Sequence, residues 1–245
     1  IIAALQVATD DRETVRVTFP EGKTVIQYAQ IMEQAGLCSA QEFLDVANNG
    51  DFSQFGFWAK REEKPNQFMK AEGYLFPDTY YFNMGEDPKY VINKMLVNFD
   101  AKVTDSVRQQ IWDKGYSIGQ MVTIASMIEK EATETDRATI ASVIYNRLNN
   151  PNSGTMGCLQ IDATIQYVLP EGQKVTEADY TGVDSPYNTY EHKGLPPGPI
   201  ANPGMDAILA ALNPEKTNYF YYILGDDDTH HFFTNYSDFL AFKNS

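Results

Sequence analysis

Apolar side chains recur along the chain with two different periods, and each period predicts a different element. Residues 15–19 alternate apolar and polar side chains, which predicts a short β-strand that ends at a Pro-Glu-Gly turn. After Thr24, apolar residues recur every three or four positions until Gly36, and after Ser39 the same spacing continues through Val46. The first fifty residues therefore predict one strand followed by two helices.

Both of these predicted helices begin with a capping box. Thr24 is followed three residues later by Gln27, and Ser39 is followed by Glu42 in the same way. In this motif the hydroxyl accepts a hydrogen bond from the third helical N–H, while the Gln or Glu side chain accepts one from the cap residue. The motif therefore fixes where each helix starts.

The rest of the chain is predicted to be mostly helical. Asp87 followed by Pro88 marks a helix start, and apolar spacing carries that helix to Val103. The same signals predict helices over 118–132, 140–148, 163–168 and 203–212, and strands over 219–224 and 231–234. Because the strands do not alternate regularly with helices, we expect an α+β fold.

A polar stretch from Arg61 to Gln67 separates the first elements from the rest. Such stretches typically connect independently packed units. We therefore expect two domains, residues 1–66 and residues 67–245.

The charge balance narrows the range of ligands. Lys and Arg number 19 against 33 Asp and Glu, which gives a formal net charge of −14. Binding to nucleic acid or to anionic lipid needs a basic surface, so this composition argues against both. The two cysteines, Cys38 and Cys158, lack the CxxC spacing of zinc or redox sites. A chain of 245 residues also buries enough surface to fold without disulfides or a structural metal.

The chain begins with the apolar run Ile-Ile-Ala-Ala-Leu and has no initiating Met, which indicates a truncated or processed form. This run is too short to span a bilayer, which takes about 20 apolar residues, and no later stretch is long enough.

The common motifs for metal, phosphate and triad chemistry do not occur in the sequence. It contains no GxxxxGK[ST], GxGxxG, HExxH or GxSxG pattern, and only three histidines. His230 and His231 are adjacent in a predicted strand and so face opposite ways, which favours packing or surface roles for both. We therefore expect no metal and no cofactor.

Two carboxylates lie near the end of the largely apolar helix predicted over 118–132. Glu129 falls close to the main apolar stripe, whereas Glu131 projects nearer Met127 on a second apolar side. Apolar surroundings raise the pKa of a carboxyl group, which then holds a proton near neutral pH and can act as a general acid. The alternative, which this segment alone favours, is an acidic pair that is solvated or paired with Lys130 and Arg137. Helical geometry does not choose between the two glutamates.

Aromatic and amide side chains are interleaved on the loops that follow. Gln160, Tyr187, Asn188 and Tyr190 have the chemistry that sugars need, since rings cover apolar sugar faces and amides pair with hydroxyl and N-acetyl groups. The chain has 15 tyrosines, however, so packing is the ordinary role for any one of them.

Two polar residues in this region are predicted to be helix caps. Asp162 precedes the helix over 163–168, and Asn202 precedes the next helix, so each side chain can accept a hydrogen bond from a first-turn N–H. The Pro/Gly-rich run at 194–204 is stiff, which suits either the wall of a groove or a plain connecting loop.

Six segments, in this order, resemble the YceG-like endolytic murein transglycosylases. They are EGYLFPDTY (72–80), the helix end at 125–132 with its EKE core, ASVIYNRL (141–148), LQIDAT (159–164), SPYNTY (185–190) and GLPPGPIANPG (194–204). The resemblance covers most of the chain after residue 72. It implies a small LysM-like module at 1–66 followed by a lysozyme-like, YceG-type catalytic domain at 67–245.

The resemblance also implies an activity. Such enzymes cleave the bond between N-acetylmuramic acid and N-acetylglucosamine within nascent peptidoglycan strands, and they form a 1,6-anhydro end without adding water or using a cofactor. They depend on one glutamate followed by a small residue, which favours Glu131, before Ala132, over Glu129. The implied substrate-binding residues are Glu72, Gln160, Asp162, Tyr187, Asn188 and Tyr190, although Glu72 could equally hold the loop that it starts.

The cellular setting follows from the same resemblance. Family members are usually tethered by one N-terminal transmembrane helix, which this chain lacks, and they act on the extracytoplasmic face of the bacterial membrane. The expected partners are peptidoglycan strands and cell-wall synthesis proteins. The alternatives are an inactive glycan-binding or scaffolding protein of the same machinery, a hydrolase, and a metal-dependent enzyme of another kind.

Two features depart from the family pattern. The Asn152–Thr155 approach to Met156 has no counterpart in it, and neither does Cys158 before the LQIDAT segment. We expect Cys158 to be a small packing residue.

Overall fold

Eleven helices and four strands follow one another within residues 12–245, which are the residues that the computed structural model describes. The strands are β1 (Thr14–Thr18), β2 (Thr79–Asn83), β3 (Tyr221–Leu224) and β4 (His230–Phe233). The helices are α1 (Val25–Gln34), α2 (Ala40–Asn49), α3 (Gly56–Ala59), α4 (Pro88–Lys102), α5 (Asp105–Asp113), α6 (Ile118–Glu131), α7 (Arg137–Asn149), α8 (Asp162–Gln166), α9 (Asp179–Gly182), α10 (Met205–Leu212) and α11 (Tyr236–Lys243). This mixture agrees with the predicted α+β class.

The apolar start at residues 1–5 lies outside the described residues. Between residues 12 and 245, none of the helices combines the length and the apolar character needed to cross a bilayer.

The N-terminal elements are a strand, two helices and the short helix α3, followed by a second strand. The capping boxes of Thr24 and Ser39 are both present, and the helices that follow them begin where the sequence predicts. β1 pairs antiparallel with β2, so that Thr14 lies opposite Asn83 and Thr18 lies opposite Thr79. The unit therefore takes its second strand from beyond residue 66, and the division of the chain at that residue stays a prediction.

α6 is the central helix of the fold. Every residue from Met121 to Ile128 is buried, and the helix packs against α7 and α10. Its start is fixed by the predicted capping box between Ser117 and Gln120. A helix that is apolar all round packs against other elements on every face. This packing fixes the position of Glu131, its last residue.

The other predicted elements are also present, with small changes of boundary. Asp87 caps α4 with Pro88 as its first residue, and β3 pairs with β4 so that Tyr221 lies opposite Phe233. The apolar spacing does not predict α3, α5, α9 or α11, and α5 begins after the cap residue Thr104. Cys38 and Cys158 are free thiols, and Cys158 is buried as expected of a packing residue.

The prediction that Asn202 caps a helix is wrong. α10 begins at Met205 with Gly204 as its N-cap, and Asn202 is fully buried before it. The Asn202 Oδ1 atom accepts hydrogen bonds from the backbone N–H groups of Gly73 at 2.9 Å and Leu75 at 3.1 Å. Asn202 therefore joins two loops that are about half the chain apart in sequence.

Candidate active site

Glu131 lies where three elements meet. It is the last residue of α6 and is half-buried. Its Oε2 atom accepts a hydrogen bond of 2.7 Å from the hydroxyl of Tyr222 on β3. Its Oε1 atom accepts a longer one, of 3.4 Å, from the backbone N–H of Ala163 in α8. Glu131 is thus a partly exposed residue whose two carboxyl oxygens both have hydrogen-bond partners.

The surroundings of Glu131 favour its protonated form. Burial is the largest influence and raises the pKa of this carboxyl, and the negative charge of Asp162 raises it further. The hydrogen bond from Tyr222 and the positive charge of Arg147 act in the opposite direction, but the pKa remains raised. A carboxyl group with a raised pKa can donate a proton near neutral pH and accept it back.

Arg147 on α7 is a member of this cluster that the sequence analysis did not select. It is 5% exposed, and its Nε atom donates a hydrogen bond of 2.7 Å to the carbonyl of Phe220, just before β3. Its guanidinium also donates to the carbonyl of Leu159, and it lies 5.5 Å from the ring centroid of Tyr222. Arg147 therefore fixes the hairpin and the loop before α8 around Glu131.

Asp162 does not cap α8, contrary to the prediction. It is the first residue of that helix, and the N-cap position belongs to Ile161, which has no polar side chain. The two Asp162 carboxylate oxygens instead accept hydrogen bonds from the hydroxyls of Tyr190 and, at 3.3 Å, Tyr180. The two tyrosine rings stack with their centroids 4.0 Å apart. The structure thus combines an exposed carboxylate with an aromatic pair beside Glu131.

Glu129 has a different environment from Glu131. Its Oε2 atom accepts a hydrogen bond of 3.1 Å from the backbone N–H of Gly204, the N-cap of α10. Within residues 12–245 neither glutamate forms an ion pair with Lys130 or Arg137. Glu129 therefore joins two helices, which is a structural role.

Glu72 lies inside the fold. It is 1% exposed, and its carboxylate accepts hydrogen bonds from the Val25 N–H at 3.1 and 3.2 Å, the Tyr167 hydroxyl at 3.0 Å and the Asn202 amide at 3.1 Å. Burial raises the pKa of Glu72 to about 8. These contacts agree with the alternative that Glu72 holds the loop it starts, because no part of the carboxylate is open to a ligand.

Tyr187 and Asn188 are also buried. Tyr187 is 2% exposed, and its hydroxyl accepts a hydrogen bond of 3.3 Å from the Phe68 N–H. The Asn188 amide donates to the carbonyls of Tyr180 at 3.1 Å and Val183 at 3.0 Å. In this structure both side chains support the loop that carries Tyr190, and neither is open to a ligand.

Gln160 and Tyr190 are half-buried and keep part of their side chains accessible. Gln160 has a left-handed backbone with φ of 51°, and its N–H donates to the carbonyl of Thr189 at 3.0 Å. This contact links the loop before α8 to the loop of Tyr190. Of the six predicted binding residues, the accessible ones are therefore Gln160, Asp162 and Tyr190.

His230 is half-buried on β4 and pairs with Asp136, with 2.7 Å between Nδ1 and Oδ2. Asp136 also accepts a hydrogen bond from the N–H of Thr133, in the loop directly after α6. The pair ties the hairpin to the chain next to Glu131. In the described part of the chain, no three His, Cys, Asp or Glu side chains come together as metal ligands would.

The fold and the site together define a mixed helix and sheet protein in which Glu131, at the end of the central helix, is half-buried and has a carboxyl group of raised pKa. The chain belongs to the YceG-like family, whose sequence model matches residues 1–245. This confirms the resemblance drawn from the six segments.

Relatives of known name are similar over most of the chain. The endolytic murein transglycosylase of Bacillus subtilis is 40% identical over 184 residues, which cover 75% of this chain and 47% of that protein. The enzyme of the same name from Streptococcus pneumoniae is 33% identical over 225 residues, covering 84% of this chain and 40% of its own. The chain thus spans less than half the length of these relatives.

A solved structure has the same fold. The crystal structure of a YceG-like protein from Listeria monocytogenes superposes with a TM-score of 0.82 at 32% sequence identity. The match covers 92% of this chain and 75% of that one.

Proposed function

We propose that this protein is an endolytic lytic transglycosylase that cleaves the bond between N-acetylmuramic acid and N-acetylglucosamine in nascent peptidoglycan. The observation that supports this most strongly is Glu131, a half-buried residue whose carboxyl group has a raised pKa and one oxygen held by Tyr222. Membership of the YceG-like family and the names of the relatives point to the same substrate.

The reaction needs two proton transfers and no water. Protonated Glu131 donates its proton to the glycosidic oxygen as the bond from that oxygen to C1 of the muramyl sugar breaks. The C6 hydroxyl of the same sugar then bonds to C1, and its proton returns to Glu131. The products are a free 4-hydroxyl on one fragment and a 1,6-anhydro end on the other, so the carboxyl finishes in the state in which it began.

One carboxyl group is sufficient for this sequence of steps. Most glycosidases use a second carboxylate to activate water or to form a covalent intermediate, and an intramolecular attack by the C6 hydroxyl replaces both. Asp162 serves instead to keep Glu131 protonated, because its negative charge opposes ionisation of the neighbouring carboxyl. No cofactor takes part.

The glycan strand contacts the accessible members of the predicted set, which are Gln160, Asp162 and Tyr190. Glu72, Tyr187 and Asn188 contribute indirectly, by holding the loops on which these residues are carried. Tyr180 stacks on Tyr190 and offers a further ring to a sugar face.

The N-terminal unit of β1, α1, α2 and the short α3 is a LysM-like module, closed by β2. The protein acts on the extracytoplasmic face of the bacterial membrane, where an N-terminal transmembrane helix anchors it as in other members of the family. Its partners are peptidoglycan strands and proteins of cell-wall synthesis.

Two matched variants on α6 test the assignment. Glu131→Gln removes the acid and base, so release of anhydro-muropeptides from sacculi should fall by at least about a hundredfold, while the melting temperature stays near that of the parent. Glu129→Gln is the control, because a Gln oxygen can still accept the Gly204 hydrogen bond, and its activity should stay close to the parent's.

Three outcomes would contradict the proposal. Glu131→Gln could release anhydro ends at the parent's rate, which would remove the catalytic assignment. The parent could release products that are heavier by one water, as a hydrolase does. It could also bind sacculi without creating new chain ends at any pH, as an inactive scaffolding protein would.

A further inference from the structure

A cleft opens on the other side of β3 from Glu131. Its volume is about 640 Å³, and it is lined by the end of α7 and the loop that follows (149–154), by residues 220–221 and by residues 234–236. Tyr221 and Tyr222 are consecutive in β3, so their side chains point to opposite faces of the strand. Tyr222 meets Glu131, and Tyr221 lines the cleft.

None of the described residues that line this cleft carries a charge. Each residue that lines it is neutral, although the protein as a whole has a formal net charge of −14. A neutral wall offers no ion pair to a charged ligand. The chemistry of the cleft therefore suits an uncharged polar molecule.

Amide groups on the loop are available to such a molecule. Asn149 and Asn152 are exposed, and their side chains form no hydrogen bond within the described residues. Asn150 donates one to the Asn146 carbonyl at 2.8 Å, which leaves its own amide oxygen open. Each amide can donate and accept at once, which is how side-chain amides pair with sugar hydroxyls and N-acetyl groups.

An aromatic ring stands beside these amides. Tyr236 is 55% exposed, yet its ring is held by Tyr221 and Phe239, with centroids 5.5 Å and 5.7 Å away. The loop also approaches Tyr221 closely, since a Cβ atom on Gly154 would lie 2.3 Å from the Tyr221 hydroxyl. A fixed ring with an open side beside unpaired amides is a typical sugar-binding arrangement.

We propose that this cleft binds N-acetylated sugar units of a glycan chain, at a site separate from the one around Glu131. That the chain is peptidoglycan rests on the proposed function. The two sites lie on opposite faces of β3, and behind that strand the Arg147 guanidinium lies 6.0 Å from the ring of Tyr221 and 5.5 Å from that of Tyr222. Sugar units held here restrain the substrate beside Glu131, which favours cleavage within a chain. This gives a role to the Asn152–Thr155 segment that the family pattern leaves unexplained.

Binding of chitotetraose, an uncharged oligomer of N-acetylglucosamine, tests this without requiring turnover. In the parent protein the side-chain amide NMR signals of Asn149 and Asn152 should shift when the sugar is added. Asn152→Ala and Tyr236→Ala should each raise the Kd of this cleft by about tenfold, the effect of losing one well-formed contact. Tyr90→Ala is the matched control, since Tyr90 is 51% exposed on α4, away from the cleft, and the Kd should not change.

The outcomes separate this proposal from the catalytic one. Asn152 makes no hydrogen bonds in the described structure, so Asn152→Ala keeps the test valid even if Tyr236→Ala unfolds. If chitotetraose shifts only signals near Glu131, binds both variants as tightly as the parent, or does not bind the parent, the cleft is not a sugar site. Release of anhydro ends by the parent is measured separately, and its absence would overturn the proposed function instead.

Discussion

Tyr222 donates a hydrogen bond of 2.7 Å to Glu131 across 91 residues of chain, and this bond joins the β3–β4 hairpin to the last turn of α6. The Tyr222 hydroxyl donates to Oε2, whereas Oε1 accepts only the longer hydrogen bond, of 3.4 Å, from the Ala163 N–H. We therefore expect Oε1, the oxygen with the weaker contact, to carry the proton in the neutral acid. Tyr222 acts as a positioning residue that orients the carboxyl group.

Tyr222→Phe should shift the alkaline limb of the pH–rate profile to higher pH. The hydroxyl stabilises the ionised carboxylate and so lowers the pKa of Glu131; without it the pKa rises and the acid stays protonated further into the alkaline range. Activity at the optimum should also fall, by about tenfold, because the carboxyl loses its orientation. The measurement is kcat/KM for anhydro-end release against pH. A limb that stays in place would show that Tyr222 does not act on Glu131.

Asp162→Asn should shift the same limb in the opposite direction. The Asp162 charge raises the pKa of Glu131, so its removal lowers that pKa and the acid ionises at lower pH. The amide oxygen of Asn can still accept a hydrogen bond from Tyr190, which preserves much of the local geometry. The same profile provides the readout, and a shift to higher pH would mean that Asp162 influences Glu131 by some other route.

Glu72 should make stability depend on pH. Its pKa is about 8 in the folded protein against 4.5 without burial, so between these values the folded state binds more protons than the unfolded state. Its contribution to the free energy of unfolding is therefore fully present below about pH 4.5, falls as pH rises and is lost above about pH 8. The free energy of unfolding, measured with urea, should fall more between pH 5 and pH 8 for the parent than for Glu72→Gln. Equal losses would show that Glu72 ionises as it does in solvent.

Local signals were sufficient to predict most of the helices. Thr24, Ser39 and Ser117 each begin the predicted helix, because a capping box involves only residues three positions apart. Pairings between distant residues could not be predicted in this way. The partner of β1 begins at Thr79, and the backbone groups that bind Asn202 lie near residue 74. Contacts between residues so far apart in sequence produce no periodic pattern, so the sequence predicted neither the β1–β2 pairing nor the role of Asn202.

The same distinction applies to the site. Periodicity identified Glu129 and Glu131 as candidates but did not show which of them is catalytic. The two residues differ in their hydrogen-bond partners, which are distant in the sequence. Gly204 lies 75 residues from Glu129, and Tyr222 lies 91 residues from Glu131. The family resemblance favoured Glu131, and the contact of Glu129 with Gly204 supports the same choice. Arg147 lay within a segment of the resemblance, but its role became visible only when β3 was brought against α7.

The mass of the muramyl product tests the central claim most directly. Purified glycan strands digested by the parent protein in ¹⁸O-labelled water should yield muramyl ends in the 1,6-anhydro form, one water lighter than the reducing sugar and without ¹⁸O. Glu131→Gln should yield none of them. Muramyl ends that carry ¹⁸O would show that water, rather than the C6 hydroxyl, attacks C1, and would contradict the account.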